Sequence, residues 1–177
     1  FILSSLFIDR FLSVRNVLTI VKQAAITVVA CMGLMLVLTT GGIDLSLGYT
    51  LGLCSIFLGI LTLKHGVPAW PAVLLTLLLG ATVGLINGAI IQFLKVPAFI
   101  ATLGVGYVLF GVAQIFGKGD AFYPLPDELL TIGMFRPLGG LYKALPATWQ
   151  ENEFIDQFCR LPSYVFIAAL VVVLVYF

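Results

Sequence analysis

Charge is scarce in this chain. Asp, Glu, Lys and Arg together make up 10% of its 177 residues, His65 is the one histidine, and the formal net charge is +1. A near-neutral chain offers no basic field to nucleic acid, so no nucleic-acid partner is expected. Cysteine is equally sparse: Cys31, Cys54 and Cys159 form no CxxC pair. Two of them lie inside apolar runs, where they read as small buried hydrophobes, and no metal site is expected. There is also no GxxxxGK[ST] phosphate loop, no HExxH, no GxSxG and no DFG-like metal set. The carboxylates other than Asp44 fall in loops. These absences exclude the common catalytic constellations, and the chain is not expected to be an enzyme or to carry a cofactor of its own. If ATP and Mg are used, a separate ATPase subunit holds them.

What the chain has instead is apolar length. Hydrophobic residues are 61% of the total and the mean hydropathy is +1.16, a membrane composition. Residues 23–43, 45–63, 66–94 and 96–117 contain no Asp, Glu, Lys, Arg or His. A helix rising 1.5 Å per residue needs roughly 20 such residues to cross about 30 Å of hydrocarbon. A chain this short cannot bury four such runs behind a polar surface, so a soluble domain is not expected.

The expected fold is all-α, a polytopic transmembrane bundle with about six spans. Phe1–Ile8 reads as the tail of a first span rather than a signal peptide, because it has no basic start and no small-residue cleavage site. The start at Phe1 and the close on ALVVVLVYF suggest one transmembrane domain, 1–177, cut at both ends. Span two is expected over Gln23–Leu38, span three over Ser46–Leu63, span four over Ala69–Leu94 and span five over Ala98–Phe116. Span six begins near Pro162. His65, between Lys64 and Gly66, is most simply a loop residue. Lys95-Val96-Pro97 makes a tight reversal, since proline disfavours helix in the residue before it. Residues 118–160 hold four basic and six acidic residues, a net of −2, with four prolines. In that loop Pro126 and the acidic pair Asp127-Glu128 predict a short surface helix over 126–134.

Span four contains Gly80, Gly84 and Gly88, a doubled small-xxx-small pattern that lines glycines along one helix face. A close helix contact is expected there. Gly48 and Gly52 repeat the spacing in span three, and Gly104, Gly106 and Gly111 thin out span five. Asn87 sits within an uncharged run and must find a hydrogen-bond partner or face water. Thr102, Tyr107 and Gln114 put polar atoms on span five. Tyr107 and Gln114 share a face, whereas Thr102 lies about 140° from Tyr107 at 100° per residue. Interhelical hydrogen bonding and a pore-lining role are both open for these side chains.

One carboxylate remains inside the apolar region, in the stretch TTGGIDLSLG at 39–48. Gly41-Gly42 lets the backbone leave the helix, and Asp44 or Ser46 is then expected to cap the first free N–H groups of span three. A carboxylate near a helix N-terminus is also favoured by the helix dipole. The alternative is an intramembrane proton or cation site on a broken helix.

Two motifs carry a resemblance. GLMLVLTTGGIDLSLG (33–48), followed by GLINGAIIQFLKVPAFIATLG (84–104), resembles the inner-membrane permeases of bacterial simple-sugar ABC importers, the ribose, xylose and galactose permease-like group. The agreement in spacing and hydropathy covers residues 10–116. Leu34-Met35 stands where that family often has Met-Thr, Ala98 where proline or glutamine is common, and the 118–160 loop is longer than usual. The resemblance implies a ten-helix fold of the vitamin B12 permease type, of which this chain would be the N-terminal half. It further implies a second permease chain, two cytoplasmic ATPase subunits and an extracytoplasmic solute-binding protein, with membrane lipid as the surrounding solvent. It places 118–160 outside the cell, although Arg10, Arg15, Lys22 and Lys64 share that side and basic residues favour the cytoplasm. For a sugar cargo, the candidates for the pathway wall are Asn87, Phe99, Thr102, Tyr107, Phe110 and Gln114. An ion-coupled carrier using Asp44, or a membrane scaffold that transports nothing, are the competing readings.

Overall fold

The computed structural model describes residues 13–120, 122–135, 137–138, 153–159 and 161–176. Among these the structure is helical: α1 (Val14–Thr39), α2 (Leu47–Gly59), α3 (Ala69–Leu94), α4 (Ala98–Gly117), α5 (Asp127–Gly133), α6 (Glu153–Cys159) and α7 (Ser163–Tyr176). A π-helical turn, Ile60–Lys64, extends α2, so the continuous helix runs over Leu47–Lys64. Among the described residues four helices are long and apolar enough to cross a membrane. The chain is a polytopic helical protein. The first expected span, Phe1–Ile8, lies outside the described residues, and α7 is a 14-residue helix.

α1 begins nine residues before the expected Gln23, and takes in Arg15 and Lys22. The loss of charge marks where a helix enters hydrocarbon, not where the helix starts. Arg and Lys are good helix formers, and their long stems let the charged heads reach the interface from within the first turns.

The chain divides into two compact units, 33–130 on one hand and 1–32 with 131–177 on the other. In the second, Phe158 and Phe166 meet edge-on at 6.4 Å, and the Ser163 N–H donates to Phe135 O at 2.7 Å, tying the start of α7 to the segment after α5.

In the 33–130 unit α2 is central, packing against α4 and α3, which also touch each other. Its core is Leu53, Val83, Leu109 and Ala113, with Tyr49, Ile56, Leu79 and Val112 around them. The buried residues of α3 (Ala69, Ala72, Val83, Asn87) and of α4 (Ala101, Thr102, Gly106, Leu109, Ala113, Gly117) fall on one side of each helix, giving one inward stripe per helix. The outward faces are apolar: Leu77, Leu85 and Phe93 are all well exposed, as expected of surfaces that meet lipid or further helices.

The glycine contacts differ from the expectation. A Cβ on Gly80 would lie 3.7 Å from Cys54 Sγ, but among the described residues nothing would come within 4 Å of a Cβ on Gly84 or Gly88. The close approach is instead on α4, where a Cβ on Gly106 would lie 2.6 Å from the Tyr49 ring and 3.5 Å from Ser46 Cα. A small-residue repeat marks a face that permits approach; it does not say which neighbour arrives.

The start of the 118–160 segment folds back onto this unit. Lys64 Nζ pairs with Asp120 Oδ2 at 3.2 Å and sits 5.3 Å from the Phe122 ring centre, while the Phe122 ring lies against Gly59. α5 follows Pro126 at the expected place. Its Glu128 Oε2 accepts the Ala69 N–H at 3.3 Å, supplying the cap that Pro68, ahead of α3, cannot offer. A carboxylate there also meets the positive end of a 26-residue helix.

Candidate functional site

The TTGG stretch ends α1 by local backbone chemistry. Gly42 N–H donates to Val37 O at 3.3 Å and Gly41 N–H to Leu38 O at 2.9 Å, with Gly41 at φ +78°. This is a Schellman stop, which uses the left-handed conformation glycine adopts without Cβ strain. The Thr39 and Thr40 hydroxyls donate to Leu36 O and Val37 O at 2.7 Å each, so the last carbonyls of α1 are satisfied as well.

The chain then runs without regular secondary structure to Ser46, and there side chains from two other helices hold it. Asp44 Oδ1 accepts both the Ser46 N–H at 2.8 Å and the Ser46 hydroxyl at 2.6 Å. Ser46 is 1% exposed, and its Oγ accepts Asn87 Nδ2 from α3 at 2.8 Å. Thr102, at the head of the buried stripe of α4, accepts the Leu45 N–H at 3.1 Å. It shares its own proton between Ala98 O at 2.9 Å and Ile43 O at 3.1 Å. The break between α1 and α2 is therefore clamped from both sides, with the Ile43 carbonyl and the Leu45 and Ser46 N–H groups paired inside the bundle.

This geometry corrects the expected cap. Ser46 sits at the N-cap position but its hydroxyl receives no helix N–H. An ionised carboxylate only accepts, so it draws the hydroxyl proton, and Asn87 donates to one of the hydroxyl's lone pairs. Asp44 reaches the Ser46 N–H, one position ahead of the first helical residue.

The candidate wall residues separate into two places. Asn87 and Thr102 belong to the clamp. Tyr107, Phe110 and Gln114 lie along the exposed side of α4, where Tyr107 and Phe110 approach Tyr49 of α2 with ring centres 5.8 Å and 6.1 Å apart. A cavity of about 390 Å³ there is lined by Gly48, Tyr49, Gly52, Phe110 and Gln114. Phe99, in the first turn of α4, is half exposed and joins neither cluster. Sequence reasoning misses Tyr49; the one signal for it is an aromatic ring between two glycines, three residues after Ser46.

Below the break lies a larger groove, about 860 Å³, whose lining includes Thr40, Asp44, Asn87, Gln92, Lys95 and Thr102. Gly41, Gly42, Gly84 and Gly88 contribute the bare backbone of its walls. Lys95 closes α3 in the left-handed conformation at φ 55°. Among the described residues no group of three or more His, Cys, Asp or Glu could hold a metal.

A helical bundle with a clamped break and residue-lined grooves fits a transport subunit, and sequence comparison decides the family. Residues 16–177 match the family described as branched-chain amino acid transport system / permease component. The chain belongs to this permease family. The permease is similar to the autoinducer 2 import system permease protein LsrC of Shigella flexneri, 39% identical over 124 residues, 70% of this chain and 36% of that protein. Similarity to the LsrC of Photorhabdus laumondii is 37% over 120 residues, 68% of this chain and 36% of that one. For Escherichia coli K12 / DH10B it is 38% over 124 residues, with 70% and 36% covered. The match therefore spans about a third of the length of these relatives. No solved structure matches the permease. With four helices among the described residues long and apolar enough to cross a membrane and permease relatives, it is a multi-pass protein of the cytoplasmic membrane.

Proposed function

We propose that this permease is part of the membrane subunit of an ATP-binding-cassette importer for a simple sugar or related small polar solute. The observation that carries the reading is the exposed side of α2 and α4, where Tyr49, Phe110 and Gln114 line a cavity with Gly48 and Gly52, and Tyr107 approaches the Tyr49 ring. Aromatic faces suit the C–H faces of a sugar, and an amide both donates to and accepts from hydroxyls. An amide on the exposed face of an apolar helix is costly against lipid and useful along a solute path. The family and the LsrC relatives, named for autoinducer 2 import, support the same class.

In this reading a second permease chain completes the passage and separate cytoplasmic ATPase subunits bind ATP and Mg. A solute-binding protein delivers cargo from outside. ATPase closure then alternates the exposure of the passage between the two sides. Residues 118–160 face outside, near that delivery, and the Lys95 turn faces the cytoplasm. Asp44 acts in the clamp, not as an ion-coupling carboxylate, because both Ser46 groups hold its Oδ1.

The test is uptake of D-ribose and of autoinducer 2 into proteoliposomes containing the full-length permease with its ATPase and binding protein. Uptake should require ATP, and Gln114→Leu should lower it while the complex still assembles. ATP-independent uptake, or uptake that follows a proton gradient, refutes the importer reading. Topology is read separately with Tyr123→Cys, an 85% exposed position: in intact spheroplasts an impermeant maleimide should label it.

A further inference from the structure

α2 does not end as an ordinary α-helix. Its last α-helical residue is Gly59, and Ile60–Lys64 form the π-helical turn, with the His65 N–H donating to Ile60 O at 3.1 Å. A π turn holds one residue more than an α turn, is rare, and is frequent at functional sites. At 100° per residue it sets Lys64 about 100° from where a continuous α-helix would carry it.

The segment after α4 meets α2 at this turn. α4 stops at Gly117, and Lys118 and Gly119 are both left-handed, at φ 52° and φ 76°. The Asp120 N–H donates back to Gly117 O at 2.9 Å. The reversal brings Asp120 Oδ2 to 3.2 Å from Lys64 Nζ, and the centre of the Phe122 ring to 5.3 Å from the same ammonium. Phe122 also rests on Gly59, where a Cβ would lie 2.6 Å from Phe122 Cγ, so the ring fills the space that any side chain there would take. The contacts thus bracket the π turn, at the residue before it and at its last residue. In an α register Lys64 would point away from Asp120 and Phe122 together, so these contacts favour the π register. They are also easily released: the Lys64 and Asp120 side chains are both about half exposed, and such a pair shifts a two-state ratio by no more than about fivefold.

We propose that the end of α2 is a two-register switch. Asp120 and Phe122 hold Ile60–Lys64 in the π register; when they let go, the turn rewinds into α-helix and Lys64 swings off the segment after α4. The switch reaches the aromatic cavity through Ile56, which lines that cavity three residues before Gly59. Ile56 packs against Gly117, where a Cβ would lie 3.2 Å from Ile56 Cδ1. The residue at which α4 gives way to the reversal is therefore the one that supports this wall of the cavity. A part in admitting cargo rests on the importer reading; the switch itself rests on the contacts alone.

The test is a distance measurement by pulsed electron paramagnetic resonance on the full-length permease in nanodiscs, in a background without native cysteines. Spin labels are placed at His65→Cys, just past the turn, and at Phe116→Cys, an exposed position on α4. The all-α reference is a variant with Leu63 deleted, which removes the extra residue of the turn. Raising the salt from about 0.05 M to about 1 M shortens the screening length to about 3 Å, and should raise the ratio of a second distance to the first about three- to fivefold. The second distance should coincide with that of the deletion variant. Asp120→Asn should show the raised ratio at low salt and no further response to salt, whereas Lys64→Arg, which keeps the ion pair and the ring contact, should behave as the parent. A single distance that neither salt nor Asp120→Asn moves overturns the proposal. So does a second distance unlike that of the deletion variant, which would mean loosening without rewinding. If the deletion variant does not fold, the salt and Asp120→Asn responses decide alone. A register shift in a complex without ATP-driven uptake would keep the switch and discard the importer reading; ATP-driven uptake with one unmoved distance would do the reverse.

Discussion

Removing the Thr102 hydroxyl tests whether the break between α1 and α2 is held by the contacts described. Thr102 is 2% exposed, and valine has nearly its shape, so Thr102→Val creates little cavity and isolates the hydrogen bonds. The Ala98 carbonyl remains within α4's own helical pattern. The loss therefore falls on two groups: the Leu45 N–H, 3.1 Å from Oγ1, and the Ile43 carbonyl, also 3.1 Å away. An orphaned buried donor costs about 1–3 kcal/mol. The carbonyl, with a second lone pair and the groove beside it, loses less, so about 2 kcal/mol is expected for the whole change. For a domain of about 150–250 residues that corresponds to a fall in Tm of about 4–8 °C, and to a smaller fall in the longer full-length protein. Thr102→Ser keeps both bonds and removes one methyl, about 0.8 kcal/mol or 2–3 °C. Thermal unfolding of the detergent-solubilised full-length protein, followed by the loss of its monodisperse chromatographic peak, measures both. If valine is as stable as threonine while serine is not, the site recognises the methyl rather than the hydroxyl, and the clamp is refuted.

Gly106→Ala should destabilise by about 1–3 kcal/mol, because its Cβ would meet the Tyr49 ring at 2.6 Å. Gly111→Ala, with nothing within 4 Å, should be neutral or gain up to about 1 kcal/mol in helix propensity; equal Tm changes for the two would count against the Tyr49 contact. Asp44→Asn retains an acceptor for the Ser46 groups and should assemble, whereas Asp44→Leu should lower the yield of folded protein; indistinguishable yields would mean that Asp44 does not hold the break. Glu128→Ala should cost about 0.5–2 kcal/mol through the Ala69 N–H and Glu128→Gln appreciably less. Matching losses in the two variants would assign the effect to charge alone.

Some of this protein was legible residue by residue. Charge-free runs located four crossings because a bilayer applies the same length and polarity test to every segment. The Gly41-Gly42 stop and the helix after Pro126 were visible because their hydrogen bonds close within a few residues. The start of α1 was misplaced because charge reports the solvent, not the backbone conformation. The clamp was beyond reach in detail. Asn87 could be seen to need a partner, but Ser46, Thr102's hold on Ile43 and Leu45, and Glu128's hold on Ala69 join positions far apart in the chain. Periodicity likewise placed Gly84 and Gly106 on helix faces without saying that α2 packs against the latter. The sequence by itself determined which segments become helices, because those interactions are local or are imposed by the solvent. Only the tertiary structure decided which polar atoms meet, because a hydrogen bond depends on where two separate helices bring their faces to within about 3 Å.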